Sequence, residues 1–146
     1  MAAINWSAFT DRGNLASTIL DSLADATLSG ASTELDNATN KDTHALIEIN
    51  LGSLNPTGSP YLELYMVKAS DGLNYEEAPI IGGDNRNTAI ATIPVPTGLA
   101  TKRVMTSTLI QLPPCKIKFY VGNQLNVSMA ASGNSIDVYT ANLTSA

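Results

Sequence analysis

The chain has 146 residues, enough for one domain with a hydrophobic core that needs no disulfide or metal to stabilise it. Only 14% of its residues are charged, and 13 acidic against 8 basic residues give a net charge of −5. Without any stripe of Lys and Arg this balance argues against nucleic-acid binding. No apolar run approaches the roughly 18 residues of a membrane span, and the start lacks a signal-peptide pattern, so neither a membrane location nor secretion is expected.

Residues 1–30 differ in character from the rest and are predicted to form an extended N-terminal arm. Trp6, the only tryptophan, and Phe9 stand there in a polar stretch. Two interpretations of Trp6 are open: a plug in the core, or, together with Phe9, a docking element for a neighbouring subunit. The apolar spacing within residues 15–23 fits a short amphipathic helix, whereas their Ser, Thr and Ile content favours an extended segment. Both structures remain possible for this stretch.

Residues 31–146 are predicted to form a single domain, because short segments alternate apolar and polar residues. In the segment His44 to Leu51, Ile47, Ile49 and Leu51 share one face, and in Tyr61 to Lys68 the residues Leu62, Leu64 and Met66 do. A period of two is typical of half-buried strands. Further strands are predicted at 88–95, 101–112, 115–121, 124–131 and 135–143, with turns at Gly122-Asn123 and at 132–135. The chain is therefore predicted to be all-β, an antiparallel β-sandwich with a jelly roll among its allowed topologies, more than one third strand and less than one sixth helix.

The longest irregular stretch, residues 69–87, predicts a functional or interfacial loop. Asp71, Glu76, Glu77 and Asp84 gather carboxylates there, but they lack the regular ligand spacing of a calcium loop. A solvated acidic loop is the favoured interpretation, and the sequence leaves open whether the stretch from Asp71 to Asp84 binds a cation.

No catalytic, cofactor-binding or metal-binding residues are predicted, so the chain is not expected to be an enzyme. The single histidine, His44, opens a strand with no metal-ligand spacing around it, and no Gly-x-Ser-x-Gly elbow is present. Cys115 lies on the apolar face of its segment and is interpreted as a small core residue. Lys116 and Lys118 point outward from the same strand, as on a solvated face or a protected sheet edge.

Tyr61 and Tyr65 share an outward face with Glu63 and are the candidate for an exposed aromatic patch. Such a patch suits sugar binding, although cross-strand packing explains the two tyrosines equally well.

Three phrases carry a family resemblance: Glu34 to Asn40, Ala45 to Ile49, and Tyr61 to Val67 followed by Ser70 to Tyr75. In this order they resemble small virion proteins of tailed bacteriophages, of the kind that decorate or cement the capsid. In that family the phrases are structural and mark no active site.

The resemblance implies a non-enzymatic protein that bridges neighbouring major capsid subunits, in many copies and often as trimers. It would be made in the host cytoplasm and located on the outer capsid surface of the virion, with Trp6 and Phe9 as candidate capsid-docking residues. The resemblance does not separate head from tail. The alternative is therefore a tail-associated β-sandwich that recognises host carbohydrate through Tyr61 and Tyr65.

Overall fold

Backbone pairing makes the protein almost entirely β. The structure is a computed structural model that describes residues 4–81 and 88–145. Strands make up 47% of it and helix 3%, which confirms the predicted class. The strands are Ile4–Trp6 (β1), Thr10–Ala16 (β2), Leu35–Asp36 (β3), His44–Leu54 (β4), Tyr61–Ala69 (β5), Ala91–Pro94 (β6), Ala100–Met105 (β7), Ile110–Gln111 (β8), Lys116–Gln124 (β9), Ser135–Ala141 (β10) and Leu143–Ser145 (β11). A single helical turn, α1, spans Asn37–Asn40.

The strands form two larger sheets and one small one. The first sheet has the order β2-β10-β4-β7, with β8 also paired to β4, and the second has the order β3-β9-β5-β6. Strands β1 and β11 form a separate two-stranded sheet. Every strand pair is antiparallel. One of the sheets curls into a half-barrel, so the architecture is sandwich-like.

The core lies between the inner faces of the two larger sheets. Ile47 and Ile49 from β4 are fully buried, as are Leu62 and Leu64 from β5 and Phe119 from β9. These are positions at which the alternation predicted inward side chains. Each β-branched or aromatic residue fits a pleated surface and removes apolar area from water, at about 25 cal/mol per Å².

Residues 122–134 differ from the prediction. Gly122-Asn123 is not a turn, because β9 runs through it to Gln124, and no strand follows until β10. The side chain of Asn123 is fully buried, donates to the carbonyls of Leu23 and Val127, and accepts from the backbone of Leu125. These bonds hold the chain in an irregular path beside residues 23–27. Strand β10 therefore pairs with β4 and β2 and makes no hairpin with the preceding segment.

The predicted boundary at residue 30 falls inside the packed sandwich. Strand β2 pairs with β10, and Leu15 and Leu20 belong to the core. Residues 17–22 form turns and no helix. Farther along, the Ser29 and Ser32 hydroxyls accept from the backbone N–H groups of Val121 and Phe119. Buried backbone N–H groups need hydrogen-bond acceptors, and on this side of β9 the segment of residues 29–32 provides them.

Residues 70–81 pack on the outer face of the second sheet. The Tyr75 ring lies 4.3 Å from Lys118 Nζ, and the side chain of Ile81 lies over Gly122. Beneath this cover Tyr65 and Val67 are 3% and 1% exposed, although they point away from the core. Lys118 is therefore covered, and β9 is a central strand, so its lysines do not protect a sheet edge.

We expect Gly52→Ala to destabilise the protein by at least about 2 kcal/mol, because a Cβ at this position would lie 2.1 Å from the Ser132 carbonyl oxygen. The backbone N–H of Gly52 also donates a hydrogen bond to the side-chain oxygen of buried Asn134. The control is Gly30→Ala, whose Cβ would meet no atom closer than 3.7 Å, with an expected change below about 1 kcal/mol. Urea denaturation measures both variants, and equal stabilities would contradict the close approach.

Candidate docking surface

The two chain termini form a small ribbon outside both larger sheets. Strand β1 pairs with β11 so that Ile4 lies opposite Ser145 and Trp6 opposite Leu143. Paired residues of antiparallel strands share a face, as do alternate residues of one strand. Ile4, Trp6 and Leu143 therefore lie on one face of this pair, which we call the terminal ribbon (residues 4–6 and 143–145).

The apolar side chains of the terminal ribbon are exposed to solvent. Ile4 is 73% exposed, Trp6 51% and Leu143 48%, and Phe9, between β1 and β2, is 54% exposed. Trp6 is thus no core plug, and its role as a docking element stays a prediction. Clustered apolar side chains on a protein surface are typical of interaction sites.

Asn142 connects the terminal ribbon to the sandwich. Its carbonyl accepts from Ser7 N at 2.8 Å, and its own N–H donates to Ser7 Oγ at 2.9 Å. The side-chain oxygen accepts from Thr43 N at 2.8 Å, while Nδ2 donates to Asp42 Oδ1 at 3.2 Å. Asn142 therefore joins the two ribbon strands through its backbone and connects them to the start of β4 through its side chain.

Asp42 provides the buried anchor beneath this junction. Its carboxylate accepts from Arg12 Nε at 2.8 Å, and the ion pair with Arg12 measures 2.7 Å. The Asn37 side chain receives the Asp42 N–H and donates back to its carbonyl. A buried carboxylate is tolerated only when it is fully bonded in this way, so the junction has a defined geometry.

Trp6 also contacts the first sheet through His44. The two rings meet edge to face with centroids 5.0 Å apart and an interplanar angle of 84°. His44 opens β4, as predicted, and its Nδ1 lies 3.0 Å from Thr43 Oγ1. In the described part of the chain the histidine ring thus contacts a hydroxyl and an indole, which is not the geometry of a Ser-His-Asp triad.

From His44 the outward side chains of the first sheet continue as one surface, which we call the free face. The pairing of β2, β10, β4 and β7 brings them to the same side of the sheet. Its members are Asp11, His44, Leu46, Glu48, Asn50, Arg103, Met105, Ser135, Asp137 and Tyr139. Unlike the outer face of the second sheet, where residues 70–81 pack, it leaves Met105 42% exposed and Leu46 and Tyr139 half-buried.

Hydrogen bonds organise the polar centre of the free face. Arg103 binds Glu48 at 2.7 Å, and this bond holds the pKa of Glu48 below its ordinary value. Glu48 lies directly opposite Asp137, and Asn50 Nδ2 bridges them at 3.2 Å and 3.0 Å. The field of Glu48 first, then burial and the charges of Asp11 and Asp137, raise the pKa of Tyr139. The centre of this face therefore carries negative potential.

The predicted tyrosine patch is not an exposed surface. Tyr65 is 3% exposed, and its hydroxyl donates to Glu63 Oε2 at 2.8 Å. Burial and this carboxylate raise the pKa of Tyr65. Tyr61 is half-buried. Of the two sequence-based explanations, packing within the sheet is the one that fits Tyr65, because residues 70–81 cover that side of β5.

The acidic side chains of the long loop are engaged within the protein. Asp71 accepts from the backbone N–H groups of Leu73 and Asn74, and these bonds, that of Asn74 first, lower the pKa of Asp71 to about 2. Glu76 pairs with Lys68 at 3.4 Å. Asp84 lies outside the described residues. Within residues 4–81 and 88–145, no three His, Cys, Asp or Glu side chains are grouped to hold a metal ion.

Cys115 is a half-buried residue packed against the core, close to the predicted role. It lines a cleft of about 300 Å³ with Lys68, Glu76 and Pro114 among its neighbours. Burial raises the pKa of this thiol, which disfavours the thiolate form.

In comparisons with known proteins, no family model, curated protein or solved structure matches the chain. In the part of the chain that the structure describes, no helix is long and apolar enough to cross a membrane.

Sequence reasoning found Trp6 and Phe9 but missed Ile4, Leu143 and the free face. Ile4 alternates with Trp6 across one polar residue, which was an available signal for a short strand. Its partner β11 lies at the opposite end of the chain, so no local pattern could predict the ribbon.

We expect Asn142→Ala to loosen the terminal ribbon without unfolding the sandwich. The substitution removes the bonds to Thr43 and Asp42, so amide exchange in β1 and β11 should accelerate roughly tenfold or more while the core amides stay protected. Hydrogen exchange monitored by NMR measures this. The control is Asn74→Ala, which removes an asparagine side-chain bond in the long loop. Unchanged ribbon exchange in Asn142→Ala would contradict the anchoring role.

Proposed function

We propose that this chain is a non-enzymatic structural protein of a tailed-bacteriophage virion, which decorates the outer capsid surface by bridging neighbouring major capsid subunits. The observation that carries the proposal is the terminal ribbon. It exposes aromatic and aliphatic side chains, and hydrogen bonds of Asn142 fix it to the start of β4. The resemblance of the strand and turn phrases to small virion proteins supports the same role.

The terminal ribbon and Phe9, which follows it in the chain, supply the docking contacts in this proposal. Trp6 and Phe9 each present more than half of their side chains to solvent, so each has apolar area left to bury against a partner. Aromatic anchors contribute most of the binding energy in typical interfaces. Ile4 and Leu143 flank Trp6 on the same face and would complete the apolar contact.

The low charge of the chain fits a crowded particle surface. With 14% charged residues, most of its polar side chains are neutral, and neutral groups cost less to desolvate than ions. Repeated on a lattice, modest contacts of this kind add up through avidity. Electron microscopy of the source particle, with the chain located in the map, tests the role: density on the capsid exterior supports it, and density on the tail contradicts it.

The alternative, a tail-associated module that recognises host carbohydrate, depended on Tyr61 and Tyr65 as a sugar platform. Tyr65 is buried and bonded to Glu63, so its ring is not available for stacking on a sugar. This alternative therefore lacks the surface that suggested it.

We expect the double substitution Trp6→Ala with Phe9→Ala to abolish docking and leave the fold intact. Two exposed anchors contribute little to the core, whereas their loss from an interface costs on the order of 2–4 kcal/mol each. Melting temperature and co-sedimentation with capsid shells assembled without this chain measure the two effects. The control is Leu73→Ala with Ile80→Ala, two other exposed apolar residues. Normal binding by the double variant would refute the docking role, and an early melt would show that the two side chains stabilise the fold instead.

We expect the protein to self-associate, as a trimer. The expectation rests on the low surface charge and on the closed symmetry that suits local three-fold positions of a capsid. Sedimentation velocity at micromolar concentration tests it, and a monomer at all concentrations and on the particle would contradict it.

A further inference from the structure

One of the two outer sheet faces remains available for a partner. Residues 70–81 pack on the outer face of the second sheet through Tyr75 and Ile81, and on that face Tyr65 and Val67 are buried. On the free face, as far as residues 4–81 and 88–145 show, Met105 stays 42% exposed, and this face adjoins the terminal ribbon through the contact of Trp6 with His44. An aromatic anchor, the apolar side chains of Leu46 and Tyr139, and the polar centre therefore form one continuous surface.

The charges of this surface are unbalanced. Arg103 is the single Lys or Arg among the members of the free face, and it is bonded to Glu48. Asp11 accepts from the backbone N–H of Gly13 at 2.7 Å, and Asp137 accepts from Asn50 and Ser135. In the described part of the chain these two carboxylates thus bond only to neutral groups, and no Lys or Arg side chain pairs with them.

The two carboxylates that lie directly opposite each other on this face differ in their partners. Glu48 is paired with Arg103, whereas Asp137, on the facing strand, accepts from neutral groups. The charge of Glu48 first, then burial and the charges of Asp11 and Asp137, disfavour ionisation of the Tyr139 phenol. A cationic group from a partner would therefore find two carboxylates, Asp11 and Asp137, that have no cationic partner in the described part of the chain.

We propose that the free face, together with the terminal ribbon, binds a protein segment that carries Lys or Arg side chains. The apolar part of that segment packs on Trp6, Leu46 and Tyr139, and its cations pair with Asp11 and Asp137. The inference deepens the proposed function and rests on it, since it names the chemistry of the capsid surface that is bound. A second copy of this chain is a poorer occupant of this face, because it brings the same acidic centre and a net charge of −5.

The test compares two double variants that carry equal charge. Asp11→Asn with Asp137→Asn removes two carboxylates from the free face, and Asp71→Asn with Asp25→Asn removes two from elsewhere. Asp71 and Asp25, like Asp11, accept backbone N–H groups, and asparagine keeps that acceptor. Both double variants change the net charge from −5 to −3.

Co-sedimentation with capsid shells assembled without this chain, from about 50 mM to about 500 mM NaCl, gives the readout. We expect the free-face variant to bind at least tenfold more weakly than wild type at low salt, with a flatter salt dependence, while the control binds as wild type does. The free-face variant should also melt close to wild type, since the side-chain oxygen of asparagine can still accept the hydrogen bonds that Asp11 and Asp137 receive. Equal binding by the two double variants would overturn the inference and leave the docking by Trp6 and Phe9 standing.

If wild type does not bind shells, the proposed function fails and a second measurement still tests the inference. An NMR titration with a lysine hexamer, and with a glutamate hexamer as control, maps where cationic side chains bind. Lysine-specific shifts confined to the amides of Leu46, Asp137 and Tyr139 support the basic partner. Shifts centred on Asp25 or Asp71 overturn it, as does self-association that the free-face variant loses, which would identify a second copy as the occupant.

Discussion

The pairing of β10 with β4 on one side and with β2 on the other is the constraint on which the rest of the structure depends. It places the N-terminal and C-terminal segments side by side, and because β1 precedes β2 and β11 follows β10, the termini must leave the sheet together. Arg12 and Thr140 bond across this pair, and Arg12 also binds Asp42. The terminal ribbon is thus a separate two-stranded sheet that hydrogen bonds of Asn142 join to the start of β4.

The two faces of the sandwich differ because one of them receives the long loop. Tyr75 binds Glu34 at 2.5 Å and contacts Lys118, so the loop is attached to β9 and to the segment before β3. The free face has instead a bridged pair of carboxylates and three half-buried or exposed apolar side chains. The two outer faces of the sandwich are therefore not equivalent. This asymmetry suits a protein that binds a surface through one face.

Local pattern predicted the positions that two neighbouring strands bury. Ile47, Ile49, Leu62 and Leu64 were assigned inward from alternation alone, because the pleat sends successive side chains to opposite faces whatever the partner strand. Alternation does not predict the burial of Tyr65 and Val67, because both side chains point away from the core and are nevertheless buried. Alternation indicates direction, whereas burial depends on what covers the face, and here the cover is a loop with no periodic pattern.

The sequence by itself determined the all-β class, the inward faces of β4, β5 and β9, and the unusual placement of Trp6 and Phe9 in a polar stretch. Only the tertiary structure decided that residues 10–30 complete the sandwich, that Trp6 pairs with Leu143 across nearly the whole chain, and that Asp11, Glu48 and Asp137 share one face. The physical reason is the sequence separation of the interacting residues. Side-chain direction follows from the local backbone alone. Strand pairing, in contrast, is selected by the total burial and hydrogen bonding of segments far apart in the chain.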